Sequence, residues 1–252
     1  MRFLARFILA FALTTASVRA DEAPVFRPAL IGNSPDAIIN RIDTKRLIAD
    51  GQKDGIIMFS CAVDKSGTVL TSIAYRGTPE TKLLETEVLR CLTNAKMIPA
   101  IYKNQPVGVF YYGTVVFSIL DGKPRLRIFA NQEPTEIQRE ADFIGPQPVI
   151  GGDSQFTGIH YRVDKTAVRV RGLVELALNV SPVGELSGMS VVTEDPPFLG
   201  FGTIAVEDFS GARFVPAFRD GQPVPCAVTL PLHYLPGIVI RADQNEQNEP
   251  EG

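Results

Sequence analysis

The chain contains a second copy of part of itself. Residues 171–236 read as strand, turn, strand, loop, helix, loop, strand. Slid back by 117 positions (172 − 55, 184 − 67 and 216 − 99 alike), they land on a stretch with the same plan. Gly172 falls on Gly55, Val180 on Val63 and Gly184 on Gly67, with no gap. Pro216-Ala217 falls on Pro99-Ala100, and Gln222-Pro223-Val224 on Gln105-Pro106-Val107. Coincidence on turn glycines and loop prolines in one register marks an internal duplication. The 252 residues therefore divide into two units of roughly 100 residues each, an ordinary domain size.

Within each copy the pattern is legible. Ile57, Phe59, Cys61 and Val63 alternate toward a core, residues 64–67 form a turn, and residues 68–75 return as a second strand. Leu84, Val88, Cys91, Leu92 and Ala95 then recur at helical spacing. Pro99 stops that helix, and residues 107–120 make a long aromatic and β-branched strand. In the second copy Val174, Leu176, Leu178 and Val180 face the core. Residues 202–209 make a short helix, and residues 226–234 close the sheet. Pro231 cannot donate to a ladder, so part of that closing strand is expected at an edge. Strand, strand, helix, strand buries a core only with the helix on one sheet face. The fold class expected is α+β: two tandem small domains, each an antiparallel sheet with one helix packed on it. Before the first hairpin, residues 36–49 carry Ile38, Ile42 and Leu47 at helical spacing. The expected organisation is a signal peptide at 1–20, a first domain at 21–130 and a linker at 131–150 rich in proline and charge. A second domain follows at 151–242, with a disordered acidic tail at 243–252.

Residues 1–20 have Arg2 and Arg6 ahead of a short apolar run at 7–13, with small or tolerated residues before Ala20. That is the plan of a cleaved secretory signal, and the run is shorter than a spanning helix needs. A retained anchor is the less favoured alternative. Cleavage removes three arginines, which takes the formal charge from −3 to −6. A mildly acidic chain with no basic run gives no footprint for nucleic acid.

Secretion makes cysteines candidates for oxidation. Cys61 sits on the core face of the first strand and Cys91 on the core face of the helix above it, so a Cys61–Cys91 disulfide is expected. The alternative is two small buried hydrophobes. Cys226 is left over. His160 and His233 are the only histidines, and neither has a Cys, His or carboxylate at ligand spacing. No nucleophile elbow, zinc-protease motif or phosphate loop is present. No catalytic residue, metal, cofactor or small-molecule substrate is therefore expected.

The repeat resembles the TonB C-terminal domain family. The resemblance rests on the run of alternating residues from Gly172 to Gly184 and on Phe201-Gly202 leading into a helix. Arg213-Phe214-Val215-Pro216-Ala217, Asp220-Gly221-Gln222-Pro223-Val224 and Leu230-Pro231-Leu232 complete it. The first copy keeps Val63-Asp64-Lys65-Ser66-Gly67, Met97-Ile98-Pro99-Ala100 and Gln105-Pro106-Val107 but lacks the Phe-Gly pair. The resemblance implies a periplasmic protein-binding module whose partner is an envelope protein, an outer-membrane transporter among the candidates. It also implies that a partner peptide adds a strand to the sheet edge. Val228, Leu230 and Leu232, on the closing strand, are the binding residues expected. Two features depart from the family: no inner-membrane helix and no long Pro-rich spacer are evident. The alternative is a structural envelope protein whose two copies pack together and leave no free edge. Self-association stays open.

Overall fold

A computed structural model describes residues 25–161, 170–236 and 240–241. The expected signal peptide and acidic tail lie outside them.

The hairpin of the first copy is β1 (Gly55–Val63) and β2 (Val69–Gly77). It is preceded by α1 (Ile38–Arg41) and α2 (Thr44–Ala49) and followed by α3 (Lys82–Leu92), β3 (Ala100–Tyr102), β4 (Gln105–Leu120) and β5 (Lys123–Phe129). The chain continues through α4 (Pro134–Arg139), β6 (Phe143–Ile144), β7 (Gln147–Ile150) and β8 (Gly158–Ile159). The second copy is β9 (Gly172–Val180), β10 (Leu186–Asp195), α5 (Phe201–Phe209), β11 (Phe214–Val215), β12 (Ala217–Arg219), β13 (Gln222–Val224) and β14 (Cys226–Tyr234), with β15 (Ile240–Arg241) after it. The fold is α+β, with helices on antiparallel sheets, as the pattern predicts.

The duplication holds residue by residue. Cys61 pairs with Tyr111 on one side and Ser72 on the other. Leu178, its counterpart, pairs with Val228 and Met189, the counterparts of those two. Even the irregularities recur. Each hairpin has two register shifts, which leave Leu70 and Tyr75 unmatched in β2 and Ser187 and Val192 unmatched in β10. The turn glycines show why they are fixed. Gly67 (φ 82°) and Gly184 (φ 76°) both lie in the left-handed region. A Cβ there would sit 2.0 Å from the Met97 carbonyl oxygen and 1.9 Å from that of Phe214. Both glycines instead accept a backbone bond from the same two residues, at 2.7 and 2.9 Å. No other residue fits that approach.

The repeat also begins earlier than the sequence reading placed it. Before α1, Arg27 bridges Ile101 and Leu30 bridges Ile98. At the same offset, Ile144 pairs with Phe218 and Gln147 with Val215. Residues 142–150 are therefore the lead-in of the second copy, not a linker. They stitch the copies together: β7 pairs with β4 of the first copy and with β11 of the second. Gln147, 2% exposed, clamps the backbone of Ala29 in the first lead-in, accepting from its N–H at 2.7 Å and donating to its carbonyl at 3.0 Å.

The single helix expected over 36–49 is two. Asp43 accepts from the Arg46 N–H at 2.9 Å and restarts the chain as α2. In the first core, Ile57, Phe59, Cys61 and Val63 meet Leu84, Val88, Cys91 and Leu92. Val149 joins them, as do Val215 and Phe218 from the second copy. The second core gathers Val174, Leu176, Leu178 and Val180 under Phe201, Ala205 and Phe209, and it recruits Ala62, Phe110 and Tyr112 from the first sheet. Each copy thus completes the other's core. On α3, Glu87 accepts from Arg90 at 2.7 and 2.8 Å and from the Asp43 N–H at 3.0 Å. The Arg90 guanidinium, chiefly, holds that carboxyl down at about 2.

The expected Cys61–Cys91 disulfide is absent: all three cysteines are free thiols. The Cys91 thiol is engaged along its own helix, 3.6 Å from the Glu87 carboxylate and 3.2 Å from the Arg90 guanidinium. Burial pushes it up to about 11 and raises Cys61 further still. Both behave as small buried hydrophobes, the alternative reading. No helix among the described residues is long and apolar enough to cross a membrane.

Candidate binding edges

A peptide that joins a sheet needs a strand with free backbone groups on one side. Four strands of the two copies could offer one: the closing strands β4 and β14, and the hairpin strands β2 and β10.

β4 is occupied. β1 lies along one side, and the other side is shared by β3, β7 and β5. β14 has β9 as its one strand partner among the described residues, and side chains from the rest of the molecule approach it. Val228 and Leu230 line a small recess with Tyr112, Asn131 and Gln132 of the first half and Gln147 of the second lead-in. His233, which points to the opposite face, stacks on Tyr75 with ring centroids 4.7 Å apart. Side chains on both faces of β14 meet the first copy. The expected binding residues are thus placed as follows. Leu230 and Leu232 are buried in the second core, and Val228 packs against it half-buried. Of the three, Val228 alone is partly exposed. Pro231 does lie on an edge strand, opposite Glu175, as its missing N–H requires.

The seam between copies is polar at its end. Gln132 Nε2 donates to the Tyr75 hydroxyl, and Arg76 meets Glu175 at 3.2 Å. His233 is half-buried there and its Nε2 is unpartnered. Burial, reinforced by Arg76, lowers His233 to about 4.

The two hairpin strands differ. The two bulged residues of β2, Leu70 and Tyr75, are turned into the seam: Leu70 packs on the second core and Tyr75 on His233. Their counterparts in β10, Ser187 and Val192, are exposed. Among the described residues β10 pairs with β9 alone, apart from a bridge between Glu185 and Arg213 just before it starts. Val191 and Val192 are exposed on it, and Phe198, in the loop beyond, is 98% exposed. That loop is held rigidly, because the Glu194 carboxylate accepts from the N–H groups of Gly200 and Phe201 at 2.8 and 3.0 Å.

One constellation was invisible in the sequence. Asp208, 48 residues from His160, accepts from both the His160 N–H and its ring Nδ1, each at 2.9 Å. The other ring nitrogen lies 3.4 Å from the Thr157 hydroxyl. The two hydrogen bonds accepted by one carboxylate tie the end of β8 to α5, and the residues flanking them, Ile159 and Phe209, are part of the second core. Among the described residues no group of three His, Cys, Asp or Glu side chains is placed to hold a metal.

Comparison with protein families, with characterised proteins and with solved structures returns no match.

Proposed function

We propose that the chain is a periplasmic, non-enzymatic protein-binding module of the TonB C-terminal type that recognises an envelope protein by strand addition at a sheet edge. The observation that carries this reading is the state of β10. It runs for ten residues (Leu186–Asp195) with one strand partner among the described residues and with Val191 and Val192 exposed. Native sheets usually blunt such an edge with lysine, proline, a bulge or a covering element, and of these β10 has its two bulges. β10 itself contains none of Lys, Arg or Pro. The signal-like residues 1–20 and the order of the repeat motifs support the compartment and the family.

The second reading, a structural envelope protein whose copies pack on each other, draws on the closing strands: β4 is flanked on both sides and the side chains of β14 lie against the first copy. An envelope cross-linking pull-down with the mature chain separates the two. Recovery of a defined envelope protein, lost on Val192→Asp in a variant with unchanged melting, supports edge recognition. Recovery equal to that of an unrelated folded control favours the structural protein.

A further inference from the structure

We propose that the partner docks on the outer edge of β10, and that it supplies an extended segment with an apolar centre and a Lys or Arg at each end. This rests on the strand-addition reading and departs from the closing-strand edge expected from the sequence.

The choice of edge follows from what each edge touches. β4 is paired on both sides, and the side chains of β14 lie against the first copy. β2 turns its bulged residues into the seam between copies. β10 keeps the same backbone, bulges included, and turns the equivalent positions to solvent. Backbone groups along an edge give affinity without sequence preference, and side chains of alternate residues give specificity. Val191, beside Gly202 of α5, Val192 at the bulge and Phe198 just beyond the strand are the exposed apolar side chains there. Phe198 holds φ 67°, a region an aromatic residue adopts uncommonly, and it is 98% exposed. A bulky apolar side chain held out in a left-handed conformation, on a loop fixed by Glu194, is arranged to meet something outside the chain.

The charges select the occupant. β10 carries no charge from Leu186 to Thr193, and acidic residues stand at both ends: Glu185 at the start, Glu194 and Asp195 at the finish. A strand with basic ends places opposite charges across from these, Asp195 foremost, because Arg213 already meets Glu185 and Glu194 already accepts from Gly200 and Phe201. A second copy of β10 does the reverse. Antiparallel pairing centred on Ser190 sets Glu185 of one chain opposite Asp195 of the other, twice over. Arg213, 3.6 Å from Glu185, offsets only part of that repulsion. The edge therefore fits a foreign strand better than its own.

Two labelled peptides test this against the full mature chain: alternating Thr and Val, one with Lys at both ends, the other with Glu. The Lys-ended peptide is expected to bind about 10-fold more tightly by fluorescence anisotropy, the advantage shrinking in high salt. Hydrogen exchange should show new amide protection within Leu186–Asp195. Val192→Asp and Phe198→Ser, both at exposed positions, should each weaken binding about 5-fold or more with unchanged circular dichroism. Equal binding of the two peptides overturns the charge assignment. Binding that protects Cys226–Tyr234 and ignores Val192→Asp overturns the β10 edge while leaving strand addition standing. Binding of neither peptide to the folded chain overturns the proposal, and the pull-down then decides the wider reading by itself.

Discussion

The two copies share a backbone register down to their bulges, yet equivalent residues live in different surroundings. Tyr75 stacks on His233 in the seam, while Val192, its counterpart, is exposed. Phe110 and Tyr112 of β4 belong to the second core, while Ala227 and Thr229, their counterparts in β14, are exposed. The first sheet is covered on both faces, by its helices and by the second copy. The second sheet is covered fully on one. Duplication fixed the strands, and packing then decided which of the duplicated edges stayed available. An edge is a property of the assembled pair of copies, and a single repeat does not carry it.

The strongest way to break this comparison is through the cores. Phe201 is fully buried, its ring 5.2 Å from Tyr234, and a Cβ on Gly172 would lie 2.6 Å from it. Leu84, at the equivalent place on α3, is also fully buried. Phe201→Ala is expected to cost about 3–5 kcal/mol and Leu84→Ala about 2–5 kcal/mol. Because β7 pairs with strands of both copies, and Val215 and Phe218 sit in the first core, each variant should lower one common melting transition in calorimetry. Two separated transitions, one of them at the wild-type temperature, would show that the copies fold independently.

Tyr75→Ala tests the seam itself. It removes the contact with His233 and the bond from Gln132, and it should cost about 1–3 kcal/mol in chemical denaturation. A loss under about 0.5 kcal/mol would mean that the seam contributes little.

Much of this was readable from residues. The alternation from Ile57 to Val63, the spacing from Leu84 to Ala95 and the glycines at 67 and 184 each impose a local geometry, and the structure has it. What sequence did not yield depends on contacts between distant elements. The lead-in repeat was hidden because it aligns Phe26 with Phe143 and little else. Proline and charge around it read as a linker, although the backbone of residues 142–150 pairs on both sides. The cysteines shared a core as expected, but no periodicity reveals which way a thiol turns, and Glu87 and Arg90 take that of Cys91. The binding edge was assigned to Val228, Leu230 and Leu232 from the chain's own order. The direction in which β14 faces is set by the first copy, through Tyr75, Tyr112 and Gln132.

The seam and the first core should part company in acid. His233 is held near 4 in the folded chain, against 6.5 for a free imidazole. Below 6.5 the unfolded chain takes up a proton that the folded one refuses, so stability falls as pH drops from 6.5 toward 4. Glu87 is depressed to about 2 from 4.5. Its contribution is complete above 4.5 and is lost as pH falls from there through 2. His233→Phe keeps a ring on Tyr75 and should flatten stability between pH 6.5 and 4. Glu87→Gln should flatten it only below 4.5. Denaturation midpoints measured across pH 2–8 check both, and a slope between 6.5 and 4 that survives His233→Phe would place the titrating group elsewhere.

The smallest effect expected is the most telling about the edge. Val192→Ala should change stability by less than about 0.5 kcal/mol, because the side chain is 55% exposed and its loss leaves no cavity. Tyr75→Ala, at the same position of the other copy, should cost several times more. If Val192→Ala instead proves as costly as Tyr75→Ala, its side chain is buried in solution against something the isolated chain supplies, and the exposed edge of β10 is closed. If the two differ as expected, one duplicated position serves as internal packing in the first copy and as open surface in the second. Selection on the second would then act through binding, because stability places almost no constraint on that residue.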